Sequence, residues 1–371
     1  MAGVVSLLLA LTAQAAASPP PPPGAENLPA RAVDHVVVLE ERRADCSNCP
    51  LHRRTIARSG SWVKDERIDS QGSRTIYSDF ASGTSFTLYR NRDGAVAGLV
   101  VERNFEPDGR YGIRRQSTGD RDVAAGEPCA VWTQFSAVIG TETKSCETAD
   151  GILVRTRHLG RVIADAVSVE RRPVRPEEAR PPADLFAMVR WPRFDRPEGM
   201  GYEVVLTSRS RGTERTSVLR RQGRLTSSRR EGRRDEGLEF SASDGVTSYS
   251  YQVDPRGRAV RLNAGLPRLR ISDIPSRWEA VPGRRVRRVL GEPCTWQINA
   301  AFQSTDTHYQ CRTADGVPLM LEDQWHWDSI VDVYTARRLT RRPLTEVDIA
   351  PPAAADDWAT WGVTPPTPSA P

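Results

Sequence analysis

Cysteine is the residue type in this chain whose spacing most plainly implies chemistry. Six occur, at Cys46, Cys49, Cys129, Cys146, Cys294 and Cys311. The last four form two pairs, each pair 17 residues apart and framed by the same words. Gly126-Glu127-Pro128-Cys129 matches Gly291-Glu292-Pro293-Cys294, and downstream Thr148-Ala149-Asp150-Gly151 matches Thr313-Ala314-Asp315-Gly316. A unit that was copied whole closes its own bridge, so Cys129–Cys146 and Cys294–Cys311 are the expected disulfides. In the chain-entropy account, closing so short a loop contributes ~3 kcal/mol per bridge.

Cys46-Ser47-Asn48-Cys49 has the spacing of a redox pair, and with His52 it makes a partial zinc string. Three features oppose the redox reading. The sequence beyond it lacks alternating strands and helices, Pro50 and the basic run after it are a poor start for a thiolate-activating helix, and the corresponding Ser210-Arg211-Gly212-Thr213 holds no Cys. A structural staple in one loop is favoured, with redox and metal roles as the alternatives.

Other catalytic signatures are missing. There is no G-x-S-x-G elbow, no phosphate-cradling G-x-x-x-x-G-K and no H-E-x-x-H. None of the five His falls opposite another when the two halves are aligned. The matched carboxylates, Glu127 with Glu292 and Asp150 with Asp315, read as structural: Asp before Gly favours a turn, and each Glu is placed to pair with Arg. No cofactor is implied. Arg is concentrated in the second half, at Arg220, Arg221, Arg224, Arg229, Arg230, Arg233 and Arg234 and again at Arg284, Arg285, Arg287 and Arg288. In Trp325-His326-Trp327, a strand would put both indoles on one face. Such a pair serves a core or a ligand platform. Trp325, Trp327, Arg284 and Arg285 are the candidate ligand contacts.

The elements that must position these residues follow from the repeat. Gly60 pairs with Gly223 and Thr84-Ser85-Phe86 with Thr247-Ser248-Tyr249, at an offset of 163. The Cys words share an offset of 165, and Arg171-Arg172-Pro173 and Trp191 pair with Arg341-Arg342-Pro343 and Trp361 at 170. The drift places insertions in loops. The expected organisation is a signal peptide over residues 1–17, a Pro-rich linker over 18–32, repeat units over 33–191 and 200–361, and a disordered tail over 362–371. Alternation over Thr84 to Tyr89, with Arg92-Asp93-Gly94 as a turn, predicts antiparallel hairpins. Pro182 to Trp191, and its counterpart Ala353 to Trp361, give the one helix signal in each copy. The fold class is therefore mainly β, a tandem duplication of an antiparallel β-meander or open-barrel unit with one short helix per copy.

The repeated Gly-Glu-Pro-Cys, its partner Cys and the Asp-Gly turn resemble uncharacterised bacterial exported β domains, which are similar to the open β-barrels of periplasmic lipoprotein carriers. The resemblance implies an open β unit and assigns no functional residue. Val4 to Ala17 is almost wholly apolar and offers small residues at Ala13, Ala15 and Ala17 for cleavage, as in an exported chain, periplasmic or extracellular in a bacterium. The net charge of +5 rests almost wholly on Arg, since only Lys64 and Lys144 are Lys among 52 basic residues. Export sets nucleic acid aside, and no later segment is apolar enough to span a membrane as a helix. The expected function is a non-catalytic binding module whose partner is an amphiphile, an anionic envelope polymer or another envelope protein. The alternative is a structural or assembly role without a ligand. Peptide mapping without reduction should find Cys129–Cys146, Cys294–Cys311 and a small ring closed by Cys46 and Cys49. A bridge between the two repeats would overturn this scheme.

Overall fold

The computed structural model describes residues 33–42, 49–103, 114–136, 141–195, 197–210, 213–231, 237–265, 278–299, 307–324 and 331–366. The expected leader and linker, Cys46, Trp325 and Trp327 lie outside them.

Alternating burial and tight glycine turns make nearly every segment a strand. In the first half β1 (His35–Glu41), β2 (His52–Ser59), β3 (Trp62–Asp69), β4 (Gly72–Asp79), β5 (Thr84–Asn91) and β6 (Val96–Arg103) form an antiparallel meander. A second meander follows: β7 (Arg114–Ala124), β8 (Glu127–Ser136), β9 (Thr141–Glu147), β10 (Leu153–His158) and β11 (Arg161–Arg171). β11 returns to pair with β1. The order across this half is therefore β7-β8-β9-β10-β11-β1-β2-β3-β4-β5-β6.

The second half has the same order. β12 (Tyr202–Ser210), β13 (Thr213–Gln222), β14 (Leu225–Glu231), β15 (Leu238–Ser243), β16 (Ser248–Val253) and β17 (Ala259–Gly265) match β1 to β6. β18 (Trp278–Ala280) and β19 (Arg287–Val289) are two pieces of one edge, corresponding to β7. β20 (Glu292–Asn299), β21 (Thr307–Arg312), β22 (Pro318–Gln324) and β23 (Val331–Arg341) complete the half, and β23 pairs with β12. Irregularities coincide too. The register slips between Tyr89 and Arg90 in one half and between Gln252 and Val253 in the other.

The halves differ in two connections. β12 and β13 pair as far as Ser210 and Thr213, whereas β1 and β2 stop pairing at Glu41 and His52. The longer connection carries Cys46 and Cys49. β10 and β11 pair up to His158 and Arg161, whereas β22 and β23 stop at Gln324 and Val331. That longer connection carries Trp325 and Trp327. The two halves join through β6 and β17, which pair antiparallel, so all 23 strands among the described residues form one open sheet rather than a closed barrel.

Residues directly opposed on neighbouring strands share a face. At the centre Phe86, Leu88, Leu99, Val101, Tyr249, Tyr251, Leu262 and Ala264 lie on one face and form a single core with both halves' tails. At the ends the opposite face is buried. Val37, Leu39 and Ile56 pack with the Cys129–Cys146 bridge, and Val204 and Leu206 with the Cys294–Cys311 bridge. The expected units at 33–191 and 200–361 thus share both a sheet and a central core.

The tails cover the central core face with turns rather than the expected helices. α1 is only Pro176–Ala179, and 182–191 is a run of turns in which Ala187 N and Met188 N both donate to Asp184 O. The second tail has 3-10 turns at Glu346–Asp348 and Trp358–Trp361. Proline on both sides of 183–191 leaves too few residues to nucleate an α-helix. Trp358 packs on Phe86 and Phe186 of the first half, at centroid distances of 5.2 and 5.0 Å. Trp361 is fully buried against Tyr251, and its carbonyl accepts from Thr84 Oγ1 at 2.8 Å. Trp191 in turn meets Tyr249 of the second half at 6.0 Å.

The repeated words now have structural roles. Gly126 and Gly291 stand at φ 77° and 80° in the hairpin turns before β8 and β20. Each Glu and Asp of the repeat converges on one Arg. Arg171 binds Glu127 at 2.9 and 3.0 Å and Asp150 at 2.6 Å, and Arg341 binds Glu292 at 2.7 Å twice and Asp315 at 3.1 Å. The next residue repeats the device: Arg172 holds Glu178, and Arg342 holds Asp348. The first clasp of each half ties the end of β11 or β23 to the hairpins beside the disulfide, and the second closes the start of the tail that follows. The Arg171 guanidinium draws Asp150 down to about 2, and Arg172 does the same to Glu178.

Two outcomes follow. Trp361→Ala should cost about 3–5 kcal/mol, as for other buried Trp truncations, and probes in both halves should still report a single urea transition because the core is shared. Separate transitions in the wild type would show that the core does not couple the halves. Asp150 and Glu178 titrate in the folded state below their ordinary values of 3.8 and 4.5. Their stabilisation is therefore complete above those values and lost as pH falls towards 2. Thermal melts between pH 5 and 2 should show this loss, and Arg171→Leu should remove the Asp150 part of it while leaving the Glu178 part.

Candidate functional site

Because the centre of the sheet buries one face, its other face is left open there. That open face forms the floor of a cleft of about 1270 Å³ in the second half, reaching across the junction to Tyr89, Gly98 and Val100 of the first. The end meander, curled over the same face, supplies a wall with Trp278, Gln310, Arg312 and Pro318, beside Tyr202 at the start of β12.

The floor is built by register. Ser228, Ser241, Ser250 and Asn263 are successive cross-strand partners on β14, β15, β16 and β17. Ser228 and Ser241 share a hydrogen bond of 2.8 Å, and Asn263 Nδ2 donates to Ser250 Oγ at 3.0 Å. A parallel row runs Arg221, Thr226, Ser243, Ser248 and Gly265. Gly265 meets Gly98 there, and a Cβ on Gly265 would lie 2.7 Å from Gly98 Cα, so only glycine permits this approach. In the first half the row matching Ser228 to Asn263 is Asp65, Ile76, Thr87 and Val100. The continuous hydroxyl and amide floor is thus particular to the second half.

Cations flank it. The Arg312 guanidinium lies 4.7 Å from the Trp278 ring, and its Nη1 donates to Gln310 at 3.1 Å. Among the described residues no carboxylate pairs with Arg312. Burial first, and then the charge of neighbouring Arg221, push its pKa down. Burial is also the first cause of the raised pKa of Tyr202. One buried polar atom on the cleft face, Arg261 Nε, has no hydrogen-bond partner among the described residues, Glu102 lying 3.6 Å away. Such atoms are rare in native folds and fit a place where a ligand or water completes the bonding.

The sequence-derived candidates fall elsewhere. Arg284 is an internal plug. Its guanidinium lies 4.8 Å from the Trp296 ring and 4.1 Å from the Tyr309 ring, and Glu322 holds it at 2.8 and 3.0 Å. An Arg with aromatic rings and a bidentate carboxylate within reach binds those rather than an outside anion. Arg285 is exposed and does not line the cleft. Trp325 and Trp327 lie outside the described residues. Cys49 is disulfide-bonded, with its expected partner Cys46 also outside them. Cys129, Cys146, Cys294 and Cys311 are buried bridges between neighbouring strands. Among the described residues no three His, Cys, Asp or Glu converge as metal ligands. What sequence reading passed over is the alternation of Ser241 with Ser243 and of Ser248 with Ser250. Its period of two puts a row of hydroxyls on one face.

No protein-family model matches the chain, and no curated protein does. A similar solved structure is that of PNGF-II in a C2 space group, 8% identical, with a TM-score of 0.30. The match covers 64% of this chain and 64% of that one, so the chain spans a little under two thirds of that structure's length. At that score the likeness carries no argument about function.

Proposed function

We propose that the protein is an exported, non-catalytic binding module whose second-half cleft holds an anionic, hydroxyl-rich polymer of the cell envelope. The observation that carries this reading is the Ser228-Ser241-Ser250-Asn263 floor beside the Trp278–Arg312 wall. Hydroxyls and amides both donate and accept, which matches the exchangeable hydrogen bonding of sugar hydroxyls. Tyr202, Trp278 and Tyr89 offer ring faces, and Arg312 and Arg221 attract an acidic substituent. The volume, above the range usual for small-molecule pockets, suits a stretch of chain. The carrier resemblance calls instead for an apolar cavity, and the polar floor argues against an acyl chain. Export is supported by buried disulfides, which persist in oxidising compartments.

Calorimetric titration with acidic and neutral oligosaccharides is the test. Acidic ones should bind more tightly, with affinity falling as salt rises. Arg312→Gln should weaken them about tenfold, equal to about 1.4 kcal/mol. Neutral and acidic chains binding alike would remove the anionic part of the proposal. A phospholipid or fatty acid retained in native mass spectrometry and displaced by Trp278→Ala would overturn it in favour of an amphiphile.

A further inference from the structure

The plug at Arg284 has an empty counterpart in the first half. Counted from the bridged cysteines, Trp296, Tyr309 and Glu322 correspond to Val131, Lys144 and Arg157. The partners agree: Thr133 opposes Lys144 as Ile298 opposes Tyr309. The edge segment that carries Arg284 between β18 and β19 is shorter in the first half, where β7 bulges between Ser117 and Arg121 and the four residues 118–121 stand in place of the six at 281–286. What remains is a pocket of about 370 Å³, lined among others by Asp122, Val131, Lys144, Arg155 and Arg157.

The substitutions turn a neutral site into a net positive one. In the second half a carboxylate, Glu322, holds a guanidinium over two rings. In the first, Arg157 replaces that carboxylate, Lys144 replaces one ring and the guanidinium is gone. We infer that this pocket is a binding site for an oxyanion group: a phosphate, a sulfate or a carboxylate. The inference is independent of the second-half cleft.

The surrounding ion pairs leave donors for such a group. Asp165 takes Arg155 Nε and Nη2, both at 2.9 Å, and Asp122 takes Arg155 Nη1 at 2.9 Å and Arg157 Nη2 at 2.8 Å. Arg155 is thereby fixed, and it pins Asp122, whose own pKa is lowered first by the Val123 backbone N–H and then by Arg155. Asp120 also lines the pocket, as does Arg121. Lys144 lies 3.6 Å from Glu142, beyond hydrogen-bond length, so its ammonium has donors to give. The Arg157 Nε and Nη1 groups take no carboxylate among the described residues. An oxyanion between Lys144 and Arg157 would meet a point charge and a planar fork together.

Lysine acylation gives a direct readout because Lys64 and Lys144 are the only lysines. Lys64 is held by Glu66 at 3.1 Å in the other meander and serves as the internal control. The full-length protein is labelled with an amine-reactive ester in inorganic phosphate, sulfate or acetate, each against sodium chloride of equal ionic strength, and mapped by mass spectrometry. Lys144 labelling should slow saturably, about tenfold at about ten times the dissociation constant, with Lys64 unchanged. Which anion protects most distinguishes an ester from a carboxylate. Arg157→Glu, which restores the second half's charge, should abolish protection. Equal labelling of Lys144 in every salt, or equal slowing at both lysines, would overturn the site.

Discussion

The sheet buries opposite faces at its centre and at its ends, and the rest of the structure follows from that constraint. The change occurs within β2, where neighbouring Ile56 and Ala57 are both buried, one in the end core and one in the central core. A strand flanked by water on one side needs one apolar face; here the apolar face changes side along the hydrogen-bonding direction. The end meanders must therefore curl one way and the tails must cover the other. The floor of the cleft is the stretch of central face that neither covering reaches.

Arginine is the commonest instrument of this arrangement. The same side chain clasps a strand end to neighbouring hairpins through Arg171 and Arg341, plugs a pocket through Arg284 and walls the cleft through Arg312. Its environment decides the role. Where two carboxylates converge, the fork geometry makes a clasp; where rings and one carboxylate converge, it makes a plug. Where a ring but no carboxylate lies within reach, the charge is left for something else.

Much of this was legible in the sequence, for a physical reason. Gly126, Gly291, Asp150 and Asp315 sit where a turn or a clasp restricts the residue type, so both halves keep the same words. The drift of the offsets from 165 to 170 marked the connection between β22 and β23 that changed length. The cleft was not legible, because its floor uses Ser, Thr and Asn at ordinary strand positions whose meaning depends on which four strands lie side by side. The shared core was equally hidden: nothing local to Trp358 announces that it packs on Phe86. Arg284 looked available because the sequence does not show Trp296, Tyr309 and Glu322 meeting around it.

The junction between the halves has a consequence best put in the language of symmetry. β6 and β17 are counterparts, and they pair with Arg261 opposite Glu102, Asn263 opposite Val100 and Gly265 opposite Gly98. Asn263 is itself the counterpart of Val100, so a pseudo-two-fold axis passes between them. Such a contact is isologous and closes on itself: each unit offers one edge, and that valence is saturated by the other. The sheet cannot propagate through its middle, and the rotation carries its two remaining edges, β7 and the β18–β19 pair, to opposite ends. A ligand lying over that axis would meet two halves of like geometry and unlike chemistry, and it could then bind in only one orientation.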